Sequence, residues 1–572
     1  MHDKTAFHNE RIAHLVIDQL IQQGIDYFCI APGSRSTPLT IAIAKHPQAR
    51  TCLHFDERGL AFHALGYGKA CHKPAVIVVT SGTAVANLFP AVMEACNANV
   101  PMLLLTADRP PELRECSANQ TADQTKLFGD YVRWYFDLPV PEDKPNDNFF
   151  VSTISYALFR TMHPMKGPVH INCMLREPFI SSSPSVHTPL SAVQYEITES
   201  VISSSCKKKW AQRFSEAKRG LIVASAMQSS SCKEAVSKLG KKLGWPILSD
   251  VLSGMRSYGC RDTLIPYSDL ILKTQEMPKP DFVLHLGDRI VSKTLQDYLT
   301  QKNTPYCLVS EHPVRHDPKH IVTDRIVCDP VLFCQEILSE EISVDCTSWL
   351  HQWQEAATFI EERLPSLFQE EMSITEPGVI RMIDEELGSN WQFFFANSMP
   401  IRDADNFFYP KSKRGSIFAN RGVSGIDGNI ATAIGLAAAS GMPTLAVLGD
   451  LATLHDINSL AMLHRAKTPV VLVVINNQGG GIFSFLPVRE KKEIVEDFFA
   501  AAHPYRFAQA AELFGIPYKN PQTKEQWQQV LYSLEKRATS CLIEINTDRE
   551  ENYLFHKKIQ ASLCSPTLCT AQ

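Results

Sequence analysis

Short uninterrupted runs of hydrophobic residues alternate along the chain with longer stretches whose hydrophobic residues are spaced three or four apart. The short runs, rich in valine, isoleucine and leucine, predict buried parallel strands, and the spaced stretches predict helices. This alternation is typical of α/β domains built on parallel sheets. The predicted strands are 27–31, 75–80, 102–106, 169–172, 220–224, 281–286, 306–310, 444–448 and 470–475.

The chain has 572 residues, which is too long for one hydrophobic core. The pattern predicts an α/β protein of three consecutive doubly wound parallel-sheet domains, at 1–185, 207–350 and 375–555. A segment rich in Ser, Thr and Pro at 181–207 predicts a linker, and 345–372 is predicted to be largely helical. Residues 551–572 carry no interpretable pattern and are predicted to form a flexible tail.

Two phrases that end neighbouring strands predict a metal-bound diphosphate site. Gly449-Asp450-Leu451 ends one strand and Asn476-Asn477-Gln478-Gly479 the next, and the residues between them, 451–467, predict a crossover helix. Because both strand ends then lie on one sheet edge, Asp450 and Asn477 are expected to face one cation such as Mg²⁺. Taken alone, the aspartate is more typical of a helix cap and the asparagine pair of a turn.

The first domain offers two further clusters. Gly33-Ser34-Arg35 follows a strand and opens a helix, where backbone N–H groups, a hydroxyl and a guanidinium would bind an anion. The phrase Asp56-Glu57-Arg58 precedes a helix of small residues. Two plain alternatives stay open at this point: a capped helix start for the first cluster and a solvated ion-pair cluster for the second.

Composition narrows the functional class. The 56 basic and 61 acidic residues give a net charge of −5 without a long single-sign run, which argues against nucleic acid as a partner. The sixteen cysteines show no Cys-x-x-Cys pair and are predicted to be mostly small core residues of a reduced protein. With no signal-like start and no run of about 18 apolar residues, the sequence predicts a cytoplasmic protein without a membrane span.

Together these phrases resemble one branch of the thiamine-diphosphate enzymes, the 2-succinyl-5-enolpyruvyl-6-hydroxy-3-cyclohexene-1-carboxylate synthases. The family also tolerates leucine after Gly-Asp, as at Leu451. The resemblance spans all three predicted domains, and it continues through 80–84, 106–110, 118–120, 397–398, 420–428 and 476–487.

The resemblance implies thiamine-diphosphate-binding domains and a transferase of menaquinone biosynthesis. Its expected reaction adds the product of 2-oxoglutarate decarboxylation to isochorismate in a 1,4-addition, with loss of CO₂. Thiamine diphosphate and Mg²⁺, or Mn²⁺, are the expected cofactors. Since the glutamate and the diphosphate clamp of such enzymes come from different chains, a homodimer or homotetramer is expected.

The resemblance also assigns roles to residues. Glu57 would bind the pyrimidine ring nitrogen and Ile426 would force the two cofactor rings together, although the sequence alone does not separate Ile426 from a core residue. Carboxylates of the substrates would bind Arg35, Arg109, Arg402 and Arg421, with Ser34, Gln120 and Ser398 as hydrogen-bond partners and Lys293 as a further cation. Other cofactor contacts would come from Gly82, Thr83, Ser424, Gly425, Leu451, Gly480, Ile482 and Phe483, and the metal ligands would be Asp450, Asn477 and Gly479.

One departure from the family stands in the central domain, where Thr294 replaces an arginine after Lys293. Weaker carboxylate binding and compensation by Arg289 are both open. Two rival functions also remain at this point. One is a carboligase or decarboxylase that acts on another 2-oxo acid, and the other is a non-catalytic protein that has kept the fold.

Overall fold

The computed structural model describes residues 2–141, 146–181, 190–198, 201–227, 232–258, 262–301, 303–411 and 415–564. Within these residues the chain forms three six-stranded sheets, and all strand pairs are parallel. The α/β fold class predicted from the hydrophobic pattern is therefore confirmed. Each predicted strand is present, with ends that differ by at most two residues from the prediction.

The first sheet, sheet A, has the order β2-β1-β3-β4-β6-β5. Its strands are β1 (Tyr27–Ile30), β2 (Arg50–Leu53), β3 (Ala75–Val79), β4 (Met102–Asp108), β5 (Trp134–Leu138) and β6 (Pro168–Met174). Its helices are α1 (His2–Gln22), α2 (Thr37–Lys45), α3 (Glu57–Cys71), α4 (Thr83–Ala86), α5 (Phe89–Asn97) and α6 (Asp147–Met162). Short 3₁₀ helices lie at Pro111–Leu113 and Gly129–Tyr131.

The central sheet, sheet B, has the order β12-β11-β10-β7-β8-β9. Its strands are β7 (Gly220–Ala224), β8 (Ile247–Ser249), β9 (Leu264–Ile265), β10 (Phe282–Leu286), β11 (Tyr306–Ser310) and β12 (Asp324–Val327). Its helices are α7 (Ser204–Glu216), α8 (Cys232–Leu243), α9 (Ser268–Thr274), α10 (Lys293–Leu299), α11 (Pro330–Leu338) and the long α12 (Thr347–Glu370), with a 3₁₀ helix at Met255–Ser257.

The third sheet, sheet C, has the order β14-β13-β15-β16-β18-β17. Its strands are β13 (Gln392–Phe395), β14 (Ile417–Phe418), β15 (Thr444–Gly449), β16 (Val470–Asn476), β17 (Tyr518–Lys519) and β18 (Cys541–Asn546). Its helices are α13 (Glu376–Glu386), α14 (Met399–Phe407), α15 (Asn429–Ser440), α16 (Asp450–His455), α17 (Leu460–Leu463), α18 (Lys492–Ile494), α19 (Ala508–Leu513), α20 (Lys524–Lys536) and α21 (Arg549–Leu563). The 3₁₀ helices Ile457–Ser459, Gly481–Phe485 and Pro487–Glu490 and the π-helix Val495–Phe499 complete it.

Sheets A and C share one hydrophobic core, and two glycines make it possible. Helices α3 and α15 cross so closely that a Cβ added to Gly66 would lie 2.1 Å from the Thr432 carbonyl oxygen, and one added to Gly435 would lie 2.0 Å from that of His63. Helix α3 begins at Glu57, and Ile426 lies shortly before α15. The crossing therefore fixes the relative positions of two segments that the sequence assigned to the cofactor.

The predicted crossover helix at 451–467 is wrong as a single helix. The chain forms α16, a 3₁₀ helix at Ile457–Ser459 and α17 instead. The break falls at Asp456, whose carboxylate accepts hydrogen bonds from Ala431 N at 3.0 Å and Ser459 Oγ at 2.6 Å. These bonds hold Asp456 at the start of α15, and its backbone (φ −118°, ψ 22°) leaves the helical range.

The predicted flexible tail is also wrong for most of its length. Residues 549–563 form α21, capped by Asp548, and Phe555, Ile559 and Leu563 are buried in the core. Residue Cys569 and its neighbours lie outside the described residues. So does most of the predicted linker, at 182–189 and 199–200, whereas α7 begins at Ser204.

Many of the described cysteines are buried, as expected of small core residues; examples are Cys29, Cys173, Cys307 and Cys541. No helix in the described part of the chain combines the length and the apolar composition needed to cross a membrane.

Candidate active site

The carboxyl edge of sheet A gathers the predicted residues of the first domain, because each of them follows a strand. Ser34 and Arg35 follow β1, Glu57 follows β2, Gly82 and Thr83 follow β3, and Arg109 follows β4. Gly82 needs its glycine, since φ is +83° at the turn into α4. Ligands of open parallel sheets bind at this kind of edge.

Glu57 stands at the first position of α3, and its neighbours hold that position. Asp56 caps the helix by accepting from Arg58 N at 3.0 Å and also accepts from Asn458 Nδ2 of the third domain at 3.1 Å. Glu57 itself accepts a hydrogen bond from Asn87 Nδ2 at 3.3 Å and stays half-exposed. Among the described residues, no hydrogen bond or ion pair joins Glu57 to Asp450 or Asn477.

Arg35 and Arg109 form a buried pair of like charges in the first domain. Arg35 donates to Leu175 O at 2.9 Å and to Glu177 Oε1 at 2.8 Å, while Arg109 donates to Ser81 Oγ. Burial and then the charge of Arg109 lower the pKa of Arg35. Two crowded guanidinium groups favour an anion between them. Gln120 lies beside this pair, and its Nε2 donates to the carbonyl of Ser81 at 3.2 Å.

The carboxyl edge of sheet C carries a second pair, Arg402 and Arg421. Burial lowers the pKa of both guanidinium groups, and the charge of Arg421 adds to the effect on Arg402. Part of the Arg402 side chain remains exposed, and it donates to the carbonyl of Ser398, whose positive φ of +74° turns the chain into α14. Arg421 donates to Asn397 Oδ1 at 2.8 Å. The four predicted arginines therefore lie in two pairs on two sheet edges.

The turn before α15 is held by Asn397, which the sequence motif included without a role. Its Nδ2 donates to Asn420 O at 2.7 Å and to Gly425 O at 2.6 Å. Ser424, with φ +61°, and the half-exposed Ile426 follow in this turn. Ile426 lies outside all three hydrophobic cores. Its side chain is therefore not a core residue, which resolves the alternative left open by the sequence.

Asp450 and the segment after Asn477 meet as the sequence predicted. Strands β15 and β16 pair with Gly449 opposite Ile475, so the residues after them emerge side by side. One Asp450 oxygen accepts from Gly479 N at 2.9 Å and the other from Leu451 N at 2.6 Å. Gly479, with φ +150°, lets the loop pass close to Ala500. Burial raises the pKa of the Asp450 carboxyl, and an adjacent divalent cation would stabilise its ionised form.

The surroundings of Asn477 suit a metal ion at this edge. Its Nδ2 donates to Glu376 Oε1 at 2.8 Å, whereas its Oδ1 is buried and has no hydrogen-bond partner among the described residues. A buried carbonyl oxygen without a donor is costly unless a cation or a water molecule occupies the space before it. With the Asp450 carboxylate and the Gly479 backbone, it forms a set of hard oxygen ligands that suits Mg²⁺ or Mn²⁺.

Two residues of this edge escaped the sequence analysis. Glu376, at the start of α13, orients the Asn477 amide and also accepts a hydrogen bond from Thr547 Oγ1 at 3.3 Å. Burial raises the pKa of the Glu376 carboxyl to about 8. His503 approaches Asp450, with 3.4 Å between Nε2 and Oδ2. The sequence held no signal for either, because a glutamate after a threonine cap is typical of any helix start.

The Gly-rich loop continues into the 3₁₀ helix Gly481–Phe485. Gly480 N donates to Ala500 O at 2.7 Å, and the half-buried Phe483 packs against Phe499 with 5.3 Å between ring centroids. Ile482 is also half-buried. Both side chains keep the partial exposure that a cover over a bound ligand requires.

Lys293 is the predicted residue that the structure does not bring to either edge. It is exposed at the start of α10, and none of the described contacts joins it to the other predicted residues. Arg289 behaves differently, because its guanidinium reaches the third domain and donates to the carbonyls of Gly422 and Arg421. Arg289 therefore supports the turn that carries Arg421, and the effect of Thr294 on carboxylate binding stays a prediction.

Comparison with known proteins gives the same class as the fold and the site. The chain matches three family models: "Thiamine pyrophosphate enzyme, N-terminal TPP binding domain" at residues 10–127, "Middle domain of thiamine pyrophosphate" at 189–395, and "Thiamine pyrophosphate enzyme, C-terminal TPP binding domain" at 402–545. Three parallel-sheet domains that match these three models define a thiamine-diphosphate enzyme.

Full-length relatives identify the family within that class. A 2-succinyl-5-enolpyruvyl-6-hydroxy-3-cyclohexene-1-carboxylate synthase of Rubrobacter xylanophilus is 42% identical over 98% of this chain and 99% of its own length. Proteins of the same name from Salinibacter ruber and Chlorobaculum tepidum are 39% and 36% identical, each over 96% of this chain and over 95% and 96% of their own lengths. The chain belongs to this family of synthases.

Proposed function

We propose that the protein catalyses the thiamine-diphosphate-dependent decarboxylative 1,4-addition of 2-oxoglutarate to isochorismate in menaquinone biosynthesis. The products are 2-succinyl-5-enolpyruvyl-6-hydroxy-3-cyclohexene-1-carboxylate and CO₂. The observation that carries the cofactor part of this proposal is the buried Oδ1 of Asn477, which finds no donor in the described part of the chain and lies on the same sheet edge as Asp450. Family membership supports the reaction.

In this proposal Asp450, Asn477 and the Gly479 backbone hold Mg²⁺ or Mn²⁺, and the metal in turn holds the diphosphate. Glu376 fixes the Asn477 amide so that the oxygen, not the nitrogen, faces the metal. Ile426 supports the cofactor rings, and Ile482 and Phe483 exclude water from above. When bound, thiamine diphosphate supplies the nucleophilic carbon and accepts the electron pair released with CO₂.

Glu57 holds a proton at the pyrimidine ring nitrogen, which makes the cofactor's amino group a competent base. The two arginine pairs orient the substrates. Arg35 and Arg109, with Ser34 and Gln120, would bind carboxylates from one side, and Arg402 and Arg421, with Ser398, from the other. Planar guanidinium groups suit carboxylates because two N–H groups meet two oxygens in one plane.

A second copy of the chain completes the site in this proposal. Support comes from Glu57, whose described hydrogen bond is to Asn87 of its own domain, and from the clamp, whose partners Glu376 and His503 belong to the third domain. No hydrogen bond or ion pair joins the two halves within the chain in the described residues. Glu57 is half-exposed and is free to meet the clamp of another chain.

The reaction is tested by following the ultraviolet absorbance of isochorismate with the protein, thiamine diphosphate, Mg²⁺ and 2-oxoglutarate, each omitted in turn. Loss of absorbance is expected only when all components are present. Replacement of 2-oxoglutarate by pyruvate should give no loss; consumption with pyruvate alone would identify a different carboligase. Glu57→Gln should slow the reaction by about 100-fold or more, whereas Glu112→Gln, an exposed carboxylate paired with Arg176, should leave it unchanged.

Complementation tests whether the site is shared between chains. Glu57→Gln and Asn477→Ala chains are each expected to be inactive, and each keeps the residue that the other lacks. After the two are unfolded and refolded together, random pairing makes half of the dimers mixed, and each mixed dimer has one intact site, so about a quarter of wild-type activity should return. A site formed within one chain would regain nothing.

A further inference from the structure

Two histidines and an aspartate of the central domain converge on one point outside the site described above. Asp288 follows β10, and His312 and His316 follow the neighbouring strand β11. His312 Nε2 lies 3.0 Å and His316 Nε2 3.7 Å from Asp288 Oδ1. All three potential ligand atoms lie within 4.8 Å of one another.

These separations suit a small metal ion. A tetrahedral ion with bonds of about 2.0–2.1 Å to nitrogen or oxygen places its ligand atoms about 3.3 Å apart. The two measured separations of 3.0 and 3.7 Å fall on either side of that value. Two of the three pairs of ligand atoms are therefore already near the spacing that one ion requires, and the third pair lies within 4.8 Å.

Burial and missing partners mark the cluster as more than a chance approach. The side chains of His312 and His316 are 5% and 4% exposed, and that of Asp288 is 22% exposed. His316 Nε2 has no hydrogen-bond partner among the described residues. A buried ring nitrogen without a partner is costly, and coordination to a metal is one of the few ways to satisfy it.

His316 is also in the chemical form that binds metals. Burial lowers the pKa of His316 to about 4. The charge of Asp288 opposes this shift, and the neighbouring His312 adds to it. The ring is therefore neutral near pH 7, with a lone pair available. Asp288 supplies the negative charge that partly offsets that of a divalent ion.

We propose that Asp288, His312 and His316 bind a divalent transition-metal ion of the Zn²⁺ type, as a site separate from the diphosphate clamp. Imidazole nitrogens suit Zn²⁺, Co²⁺ and Ni²⁺, whereas Mg²⁺ and Ca²⁺ require several oxygens. The nearby guanidinium groups of Arg289 and Arg325 repel any cation at this point. A metal ion that forms strong bonds to nitrogen is therefore favoured over one that is held by charge alone.

Asn99 of the first domain is the neighbour whose amide would rotate when the ion binds. Its Nδ2 lies 2.7 Å from His312 Nε2, in the place that the metal bond would take. A half-turn of the amide brings its oxygen to this point as a fourth ligand. Arg133, which donates to Asn99 Oδ1 at 3.0 Å, retains its bond to Cys96 O at 2.8 Å. The ion would enter through a cavity of about 800 Å³ that Asp288 and His316 line.

The position of the site indicates what the ion would do. Arg289 follows Asp288 directly and donates to the carbonyls of Arg421 and Gly422 in the third domain. Asn99 belongs to the first domain, and the histidines belong to the central one. A metal ion here would join loops of the central domain to both of its neighbours, and it would hold the turn that carries Arg421.

The test uses the untagged full-length chain, freed of metals with a chelator and returned to buffer with saturating Mg²⁺ so that the clamp is occupied. Titration with Zn²⁺, followed by calorimetry and elemental analysis, should give one ion per chain and a higher melting temperature. His316→Gln should weaken this binding by more than about 100-fold, since loss of a supporting residue alone costs 10–100-fold. His320→Gln, an exposed histidine of the same segment, and Asn477→Ala in the clamp should leave it unchanged.

Co²⁺ gives a second measurement that does not depend on one variant. Co²⁺ bound to the wild-type chain should show the intense visible absorption of a four-coordinate site, and Asp288→Asn should remove it. Zinc binding that survives in both His316→Gln and Asp288→Asn would overturn the proposal. So would binding that disappears with Asn477→Ala, or Co²⁺ with only the weak absorption of a six-coordinate oxygen site.

Discussion

Replacement of Gly435 by alanine should separate the first and third domains at their closest point. The added Cβ would lie 2.0 Å from the His63 carbonyl oxygen and 2.9 Å from Tyr67 N, whereas ordinary contacts begin near 3.4 Å. Both obstacles are backbone atoms inside α3, so no side chain can turn away. The helices must move apart by about 1 Å or more, as expected for overpacking of a tight interior.

The stability change has two opposing parts. Overpacking costs about 1–3 kcal/mol, and contact with a rigid backbone places this position toward the upper end. Alanine is favoured over glycine inside a helix by about 1 kcal/mol. We expect a net loss of about 2 kcal/mol and a melting temperature lower by several degrees.

Activity should fall more than stability suggests. Helix α3 begins at Glu57, and α15 follows the turn that carries Ile426, so the shift moves both segments within the two shared sites to which they contribute in the proposed dimer. A misplacement of about 1 Å at reacting groups can lower a rate by about 100-fold. We therefore expect a large drop in kcat with the metal-binding clamp intact.

Thermal unfolding and steady-state kinetics on the same preparation measure both effects. Gly388→Ala is the matched control, because the nearest obstacle there is Glu535 Oε1 at 3.1 Å, the end of a flexible side chain. A Gly435→Ala protein with the melting temperature and kcat of the wild type would show that the two helices are not held at this distance.

Three further predictions concern the clamp, a buried ion pair and a buried carboxyl. Asn477→Ala should weaken Mg²⁺-dependent binding of thiamine diphosphate by at least 10–100-fold in calorimetry. Arg256→Met removes the buried partner of Asp405, at 2.8 Å, and should cost about 3–5 kcal/mol in chemical unfolding, whereas Lys238→Met in an exposed pair should cost less than about 1 kcal/mol. Burial raises the pKa of Asp456 from 3.8 to about 6. As pH rises between these values, the free energy of unfolding of the wild type should fall by about 3 kcal/mol relative to that of Asp456→Asn. A melting-temperature difference between the two proteins that stays constant with pH would contradict this.

The parallel strands and the meeting of Asp450 with Gly479 followed from local pattern. A run such as 470–475 is hydrophobic throughout, and only a strand covered on both faces buries every residue of such a run. Once two such strands are neighbours, the residues after them must emerge together. The arginines and Glu57 were predicted from the family resemblance, because they lie within its sequence motifs.

Partners distant in sequence could not be predicted in this way. The crossover helix breaks at Asp456 because Ala431 N, 25 residues away, competes for its carboxylate. The residues after 551 form a helix because the core accepts Phe555 and Ile559, although their spacing alone gave no strong signal. In both cases a tertiary contact overrode the local pattern.

The fold class and the family followed from the sequence alone, because hydrophobic period and the motifs at strand ends are local properties, whereas the metal-bound diphosphate site stays a prediction. The tertiary structure decided that Glu376, 101 residues away along the chain, holds the amide nitrogen of Asn477. It also decided that Asp288, His312 and His316 meet. Orientation and convergence depend on how helices and loops pack, and that packing is set by the whole core together.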